Sequence, residues 1–118
     1  MTAAFVHLRL HTEYSLVDSV VRVPELMEAV AAHQMPAVAL TDRDNLFAMV
    51  KFYRAALEHG VKPVIGVEIA IAEAGERAQP SRLALLCQSQ TGYRNVTRLL
   101  SRAYLEGQDR GTPTVERR

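Results

Sequence analysis

The most informative stretch of the sequence is FVHLRLHTEYSLVD, residues 5–18. Apolar and polar residues alternate along its first half, which predicts a β-strand with His7, Arg9 and His11 on one face. Two histidines at this spacing, followed by Asp18 in a loop, are residue types that ligate Zn, Mn or Fe. Arg9 argues against a metal, because a guanidinium only donates hydrogen bonds and keeps its positive charge.

Helical and strand patterns alternate through the rest of the chain. In order we predict a helix at 23–34, a strand at 37–40, a helix at 45–59, strands at 62–71 and 83–87, and a helix capped by Thr91 that reaches residue 104. Strands and helices joined by short connections predict an α/β fold with a mainly parallel sheet. Residues 108–118 are polar and include Gly111 and Pro113, so we expect a frayed tail.

Composition narrows the class of protein. The 118 residues are 48% hydrophobic and contain no long apolar run, which predicts one globular unit without a membrane span. The N-terminus lacks the pattern of a signal peptide, so a cytoplasmic location is expected. The net charge is +1 and both signs are interspersed, which does not favour direct DNA binding. Cys87 is the only cysteine, which excludes an internal disulfide.

Two acidic residues occupy unusual positions. Glu68 is the only charged residue inside the apolar run VIGVEIAI, residues 64–71. A carboxylate there must be paired, bound to a metal or directed into a cleft, because burying it alone costs several kcal/mol. Asp42 precedes the second predicted helix and is interpreted as its N-cap or as a group supporting nearby site residues. From spacing alone, Asp18 also suits an ordinary turn and His11 an ordinary strand.

Residues 7–18, HLRLHTEYSLVD, resemble the opening motif of the PHP (polymerase and histidinol phosphatase) domain, in which H-x-H ends the first strand. Three further segments are similar to the branch of this family found in bacterial DNA polymerase III alpha subunits: TDRDNLFAMVKFY at 41–53, VKPVIGVE at 61–68 and TGYRNVTRLLSRAY at 91–104. The resemblance implies that residues 1–107 are the N-terminal portion of a distorted, seven-stranded, TIM-like PHP barrel, and that 108–118 leads into a missing remainder.

The resemblance also assigns candidate site residues. PHP domains hold a three-metal cluster at the mouth of the barrel, and active members hydrolyse phosphoesters there. His11 matches the second histidine of the first motif, Asp18 its loop aspartate, and Glu68 the glutamate of a G-x-E motif. These three residues are therefore vestigial candidates for metal ligands.

Three arginines stand where the family carries metal-binding histidines. Arg9 replaces the first histidine, Arg43 that of a T-D-H motif and Arg82, by a looser match, one on the fourth strand. Three fixed positive charges disfavour a metal cluster and the activated water that hydrolysis needs. We expect arginine–carboxylate ion pairs in its place, with no cofactor and no catalytic residue.

These observations lead to three functional hypotheses. The first is a non-catalytic structural and subunit-docking module in DNA replication, whose partners are the remainder of the alpha subunit, a DNA-directed DNA polymerase (nucleotidyltransferase), and the proofreading exonuclease subunit. The alternative is a residual metal-dependent phosphoesterase or 3'-5' exonuclease that uses Zn, Mn or Mg. The third is a free-standing interaction module. A partial barrel would also expose a strand edge, so self-association is expected.

Overall fold

The fold is built around one long central strand. The computed structural model describes residues 4–72, 80–109 and 112–116. Its strands are β1 (Ala37–Leu40), β2 (Lys62–Ala72), β3 (Ser81–Leu86), β4 (Gln108–Asp109) and β5 (Thr112–Glu116); its helices are α1 (Val23–Ala32), α2 (Met49–Glu58) and α3 (Gln90–Glu106), and a 3₁₀ segment spans Glu13–Asp18. The predicted helix at 23–34 and the predicted strands at 37–40 and 62–71 are therefore confirmed, with small differences at the ends.

Strand β2 pairs with three neighbours. β1 runs parallel to its first part, with Leu40 opposite Ile65, and β5 runs parallel to its end at residues 70–72. β3 is antiparallel along residues 66–71, and β4 is antiparallel to β5. The sheet is therefore mixed, and the predicted mainly parallel sheet is wrong. The connection from β2 to β3 is too short for a crossover helix, so the chain returns antiparallel.

Two apolar clusters support the sheet. One joins α1, β1 and α2 through residues such as Met27, Val38 and Phe52, which are fully buried. The other joins β2 to α3, with Val67 and Val96 among its members. Along the described ranges, no helix combines the length and apolarity that a membrane crossing requires.

The predicted first strand is wrong. Only His7 forms a bridge, parallel to Val38, and the chain is otherwise irregular from residue 5 to residue 11. Leu8 is 54% exposed although the alternation places it on a packed face. The Thr41 hydroxyl accepts the Leu10 N–H at 2.8 Å, so a side chain takes the place of a strand partner.

Two helices begin elsewhere than predicted. α2 begins at Met49, because the Asn45 side chain donates to the carbonyls of Tyr14 and Arg43 and holds the preceding residues in a loop. α3 is capped by Ser89, whose hydroxyl accepts the Gly92 N–H at 3.2 Å, and the predicted cap Thr91 is wrong.

The expected frayed tail forms two strands. Gln108–Asp109 and Thr112–Glu116 pair with each other, whereas residues 110–111 and 117–118 lie outside the described residues. The Thr114 N–H donates to the Gly107 carbonyl at 2.8 Å. A Cβ at Gly107 would lie 1.9 Å from the Thr114 carbonyl oxygen, so this close approach requires glycine.

Candidate functional site

The site forms where parallel segments end side by side. Arg43 lies beside Glu68 in a parallel bridge: the Glu68 N–H donates to the Asp42 carbonyl at 3.0 Å, and the Asp44 N–H donates to the Glu68 carbonyl at 2.9 Å. Residues 7–11 run parallel to β1 and end at the same edge. This arrangement brings together five residues that we call the arginine–carboxylate cluster: Arg9, His11, Asp18, Arg43 and Glu68.

Glu68 is the centre of the cluster and is only 2% exposed. Arg9 Nε donates to its Oε1 at 2.5 Å, His11 Nε2 lies 3.3 Å from the same oxygen, and Arg43 Nε lies 3.9 Å from Oε2. Burial by itself raises the pKa of Glu68, but the Arg9 hydrogen bond and the charges of His11 and Arg9 outweigh it, so the pKa lies below its usual range. Glu68 is therefore ionised and neutralised by protein cations.

Arg43 joins the two carboxylates of the cluster. Its Nη1 donates to Asp18 Oδ2, and its Nε faces Glu68. The hydrogen bond from Arg43 holds the pKa of Asp18 below its usual range, although burial acts in the opposite direction. The predicted pairing of arginines with Asp18 and Glu68 is thus present in the structure, and Asp18 lies at the end of the 3₁₀ segment.

Asp42 lies behind the cluster and is fully buried. It accepts the Thr12 N–H at 2.6 Å, the Thr12 hydroxyl at 2.7 Å and the Ser15 hydroxyl at 2.8 Å. Its predicted role as an N-cap is wrong, because α2 begins only at Met49. Asp42 instead anchors residues 12–15 to the end of β1, which is the supporting role that the sequence left as the other interpretation.

Arg82 makes a separate pair beside the cluster. Its Nη1 lies 3.4 Å from both carboxylate oxygens of Asp44. The Tyr104 hydroxyl on α3 donates to the Asp44 carbonyl at 2.6 Å. Burial, together with repulsion from Glu68, raises the pKa of Asp44 despite the nearby arginines. Asp44 and Tyr104 were not predicted from the sequence. Asp44 carries a signal in the charged run TDRDN, whereas Tyr104 looks like any aromatic residue of an amphipathic helix.

As arranged here, these residues do not fit a metal ion. In residues 4–72, 80–109 and 112–116, no three His, Cys, Asp or Glu side chains are grouped so that they could hold one. Both cluster carboxylates face guanidinium groups, which would repel a divalent cation. His11 Nε2 is buried, and within the described part of the chain it is the one buried side-chain nitrogen or oxygen without a hydrogen bond, since its contact with Glu68 is poorly aligned.

The comparisons with protein families and with individual proteins agree with each other. The profile of the PHP domain matches residues 7–118. The DNA polymerase III subunit alpha of Pseudomonas aeruginosa is 52% identical over 117 residues, which cover 99% of this chain and 10% of that protein. The same subunit of Escherichia coli K12 is 38% identical over 113 residues, which cover 96% of this chain and 10% of that protein. The chain thus spans about a tenth of the length of these relatives.

Two solved structures share the fold. An amidohydrolase from Chromobacterium violaceum, with bound sulfate and no metal, has a TM-score of 0.60 and 21% identity over 80% of this chain and 32% of that chain. A Bifidobacterium adolescentis protein, provisionally described as a metal-dependent phosphoesterase, has a TM-score of 0.66 and 19% identity over 86% of this chain and 34% of that chain. At these identities the likeness concerns the α/β fold alone.

Proposed function

The chain belongs to the PHP domain family, and we propose that it acts as a non-catalytic structural module in the alpha subunit of a bacterial DNA polymerase III. The observation that carries this proposal is the pairing of buried Glu68 with Arg9 at 2.5 Å, next to the pairing of Asp18 with Arg43. In this proposal, protein cations stand where metal-bearing members of the family hold metal ions.

Electrostatics support this exchange of metal for arginine. A buried carboxylate without a partner costs several kcal/mol, so Glu68 needs a positive charge whether or not a metal is bound. Arg9 supplies that charge through a hydrogen bond that is stronger than one between neutral groups, and the Arg43 guanidinium adds a second positive charge 3.9 Å from Glu68 Oε2. In this proposal, the cluster holds β1, β2 and the 3₁₀ segment together without any cofactor.

Residual hydrolysis is the weaker alternative. A phosphoesterase or exonuclease using His11, Asp18 and Glu68 would need bound cations to polarise the phosphate and activate water. Asp18 is engaged by Arg43, and Glu68 is engaged by Arg9, so neither carboxylate is free for a metal. The two solved structures resemble this chain in fold, which is compatible with hydrolysis but does not favour it.

The proposal includes a larger assembly in the bacterial cytoplasm. We infer that the five strands are part of a seven-stranded PHP barrel and that the remainder of the alpha subunit completes it. Polymerase activity is then a property of the longer subunit. Following the family resemblance, we also propose that this domain docks the proofreading exonuclease subunit and makes no direct contact with DNA.

Metal analysis tests the proposal directly. We expect protein purified without added metal to contain no stoichiometric Zn or Mn, because Arg9 and Arg43 already neutralise the carboxylates. The Arg9→His, Arg43→His double variant should gain affinity for both metals, since it adds two imidazoles and removes two fixed charges. Stoichiometric metal in the wild type would overturn the proposal and direct attention to hydrolysis.

A matched variant controls for histidine itself. Arg22→His changes an arginine that is paired with Glu13 on the surface, outside the cluster. It should bind no more metal than the wild type. If it gains as much metal as the double variant, the gain does not report on the cluster.

Self-association of the isolated chain is a second proposal. Among the described residues β3 pairs only with β2, and Leu83 and Leu86 on β3 are 45% and 37% exposed. An unpaired edge with exposed apolar side chains favours pairing with a second copy. Sedimentation should show dimers or larger species as concentration rises, and a monomer at high concentration would contradict this.

A further inference from the structure

Helix α2 has two apolar faces, and only one of them is covered. Phe52 and Ala56 are fully buried in the apolar cluster that joins α1, β1 and α2. Val50, Tyr53 and Leu57 recur at intervals of three and four residues, which places them together on another face of the helix. They are 56%, 49% and 57% exposed. Since a helix of a globular domain normally carries one apolar stripe, this second stripe indicates a contact surface.

The exposed face of α2 lines a groove, which we call the α2 groove. It is also lined by Ile65 of β2, by Cys87 after β3 and by Tyr93 in the first turn of α3. Its volume is about 570 Å³, which has room for several side chains of a bound segment. None of the five residues of the arginine–carboxylate cluster is among the described residues that line it. The α2 groove is therefore a separate surface.

Arg54 gives the α2 groove its charge. Among the described residues that line the groove, it is the only charged one. Arg54 is exposed, and it forms no ion pair with another residue in the described part of the chain. An interface is favoured when its charges are complementary, so this guanidinium favours a carboxylate on the partner. The α2 groove thus fits an apolar segment that carries an acidic side chain.

The length of the relatives indicates which molecule supplies this segment. The chain spans about a tenth of the DNA polymerase III alpha subunits that it matches. In the proposed function, the rest of that subunit is joined covalently to this module. A segment of the same subunit meets the α2 groove at a much higher effective concentration than a separate protein or a second copy does. The tethered segment is therefore the favoured occupant.

We propose that the α2 groove is a docking site for a segment of the remainder of the alpha subunit, apolar in character and carrying an acidic residue that pairs with Arg54. This inference rests on the proposed function and names a surface through which the module is fixed in the larger subunit. Docking removes Val50, Tyr53 and Leu57 from water, which stabilises the contact.

Cys87 is a probe of the α2 groove, because it is the only cysteine of the 118 residues, lines the groove and is partly exposed. Its reaction with iodoacetamide is followed by peptide mass spectrometry in the 118-residue chain and in the complete alpha subunit that contains it. We expect roughly tenfold slower labelling of Cys87 in the subunit, because a docked segment blocks access to the thiolate. Equal labelling rates in the two proteins would overturn the inference.

Val50→Asp tests the docking face itself. In the subunit it should return the labelling rate of Cys87 to within about threefold of the rate in the isolated chain, because a carboxylate opposes burial in an apolar groove. Val50→Ile is the matched control, since it keeps an apolar, β-branched side chain and should leave Cys87 protected. In the isolated chain, Val50→Asp should not lower the resistance to urea, because an aspartate in the first turn of α2 favours the helix dipole. If Val50→Asp does not fold, Tyr53→Gln on the same face takes its place.

The charge of the groove has its own test. Arg54→Glu in the subunit should also speed up the labelling of Cys87, because it places like charges against each other, whereas Arg54→Lys keeps the positive charge and should leave Cys87 protected. Full protection in Arg54→Glu would contradict the acidic character of the docked segment.

Two further results would overturn the inference. One is protection of Cys87 that persists in the Val50→Asp subunit, and the other is protection in the isolated chain that increases with its concentration, which identifies a second copy as the occupant. Both can be told apart from failure of the proposed function, which is decided by the metal content of the wild type. A metal-free wild type with equal labelling in chain and subunit leaves the module proposal standing and removes only this inference.

Discussion

Two carboxylates in this molecule are equally buried but are satisfied in different ways. Asp42 is fully buried and accepts three hydrogen bonds from neutral groups of Thr12 and Ser15. Glu68 is 2% exposed and faces the guanidinium groups of Arg9 and Arg43. The first is built into the backbone of a neighbouring segment, whereas the second depends on side chains that reach in from the surface.

The different partners of Asp42 and Glu68 indicate that Asp42 holds the fold together, whereas Glu68 belongs to the candidate site. Donors of Asp42 are a backbone N–H and two short hydroxyl side chains, so losing the carboxylate leaves buried groups without partners. The donors of Glu68 belong to long side chains, and Arg9 is 65% exposed, so they can turn to water. Asp42 should therefore matter most for folding, and the cluster should tolerate more change.

Asp42→Ala should lower the free energy of unfolding by about 3 kcal/mol, because it leaves three buried donors unsatisfied. Urea unfolding measures this loss. Asp42→Asn keeps one acceptor oxygen in place and should lose about half as much. A loss below 1 kcal/mol for the alanine variant would contradict the anchoring role of Asp42.

Arg43→Ala should lower the free energy of unfolding by about 1 to 2 kcal/mol, because Arg43 serves both carboxylates and is 32% exposed. The same urea measurement applies. Arg43→Lys keeps the charge but loses the second contact, so its loss should lie between those of the wild type and the alanine variant. If lysine and alanine are equally destabilising, the paired geometry rather than the charge is what matters.

Acid should weaken the wild type more than Arg9→Ala. The pKa of Glu68 is lowered in the folded state, so its contribution is present above the usual pKa of about 4.5 and is lost as pH falls through the lower folded value. Asp18 acts in the same direction, and Asp44, whose pKa is raised, acts in the opposite direction. The stability difference between the two proteins should shrink below pH 4.5. A difference that stays constant with pH would show that Arg9 acts through packing alone.

Arg22→Ala should change the free energy of unfolding by less than about 0.5 kcal/mol, because its pair with Glu13 is 3.5 Å long and lies at the surface. This variant calibrates the comparison, since it removes an arginine–carboxylate pair whose carboxylate is not fully buried. A loss as large as that of Arg43→Ala would mean that burial of Glu68 does not distinguish the cluster.

Local patterns predicted helix α1 and strand β1 well. Helix α1, which begins with Val23 and Pro24, and strand β1 follow from spacing and from proline alone. The residues from Phe5 to His11 alternate like a strand, but Thr41 supplies a side-chain partner to Leu10 and only one bridge forms. Thr41 is far from Leu10 in the sequence, so no local pattern predicts that its side chain takes the Leu10 N–H from a strand partner.

The residues of the candidate site were predictable from the sequence, but the contacts between them were not. An isolated Glu68 within an apolar run indicates a partner, and the arginines at motif positions indicate which residue type supplies it. Which arginine meets which carboxylate depends on the register of β1 against β2. The hydrogen bond from Tyr104 to the Asp44 carbonyl joins residues 60 positions apart in the sequence.

The family, the order of most helices and strands, and the need of Glu68 for a positive partner follow from the amino-acid sequence, because motifs, periodicity and the cost of burying charge are properties of short segments. Three features are visible only in the folded structure: the sheet is mixed, residues 112–116 join it, and Asp42 anchors the 3₁₀ segment. These features depend on contacts between segments that are far apart in the chain, and such contacts exist only once the chain has folded.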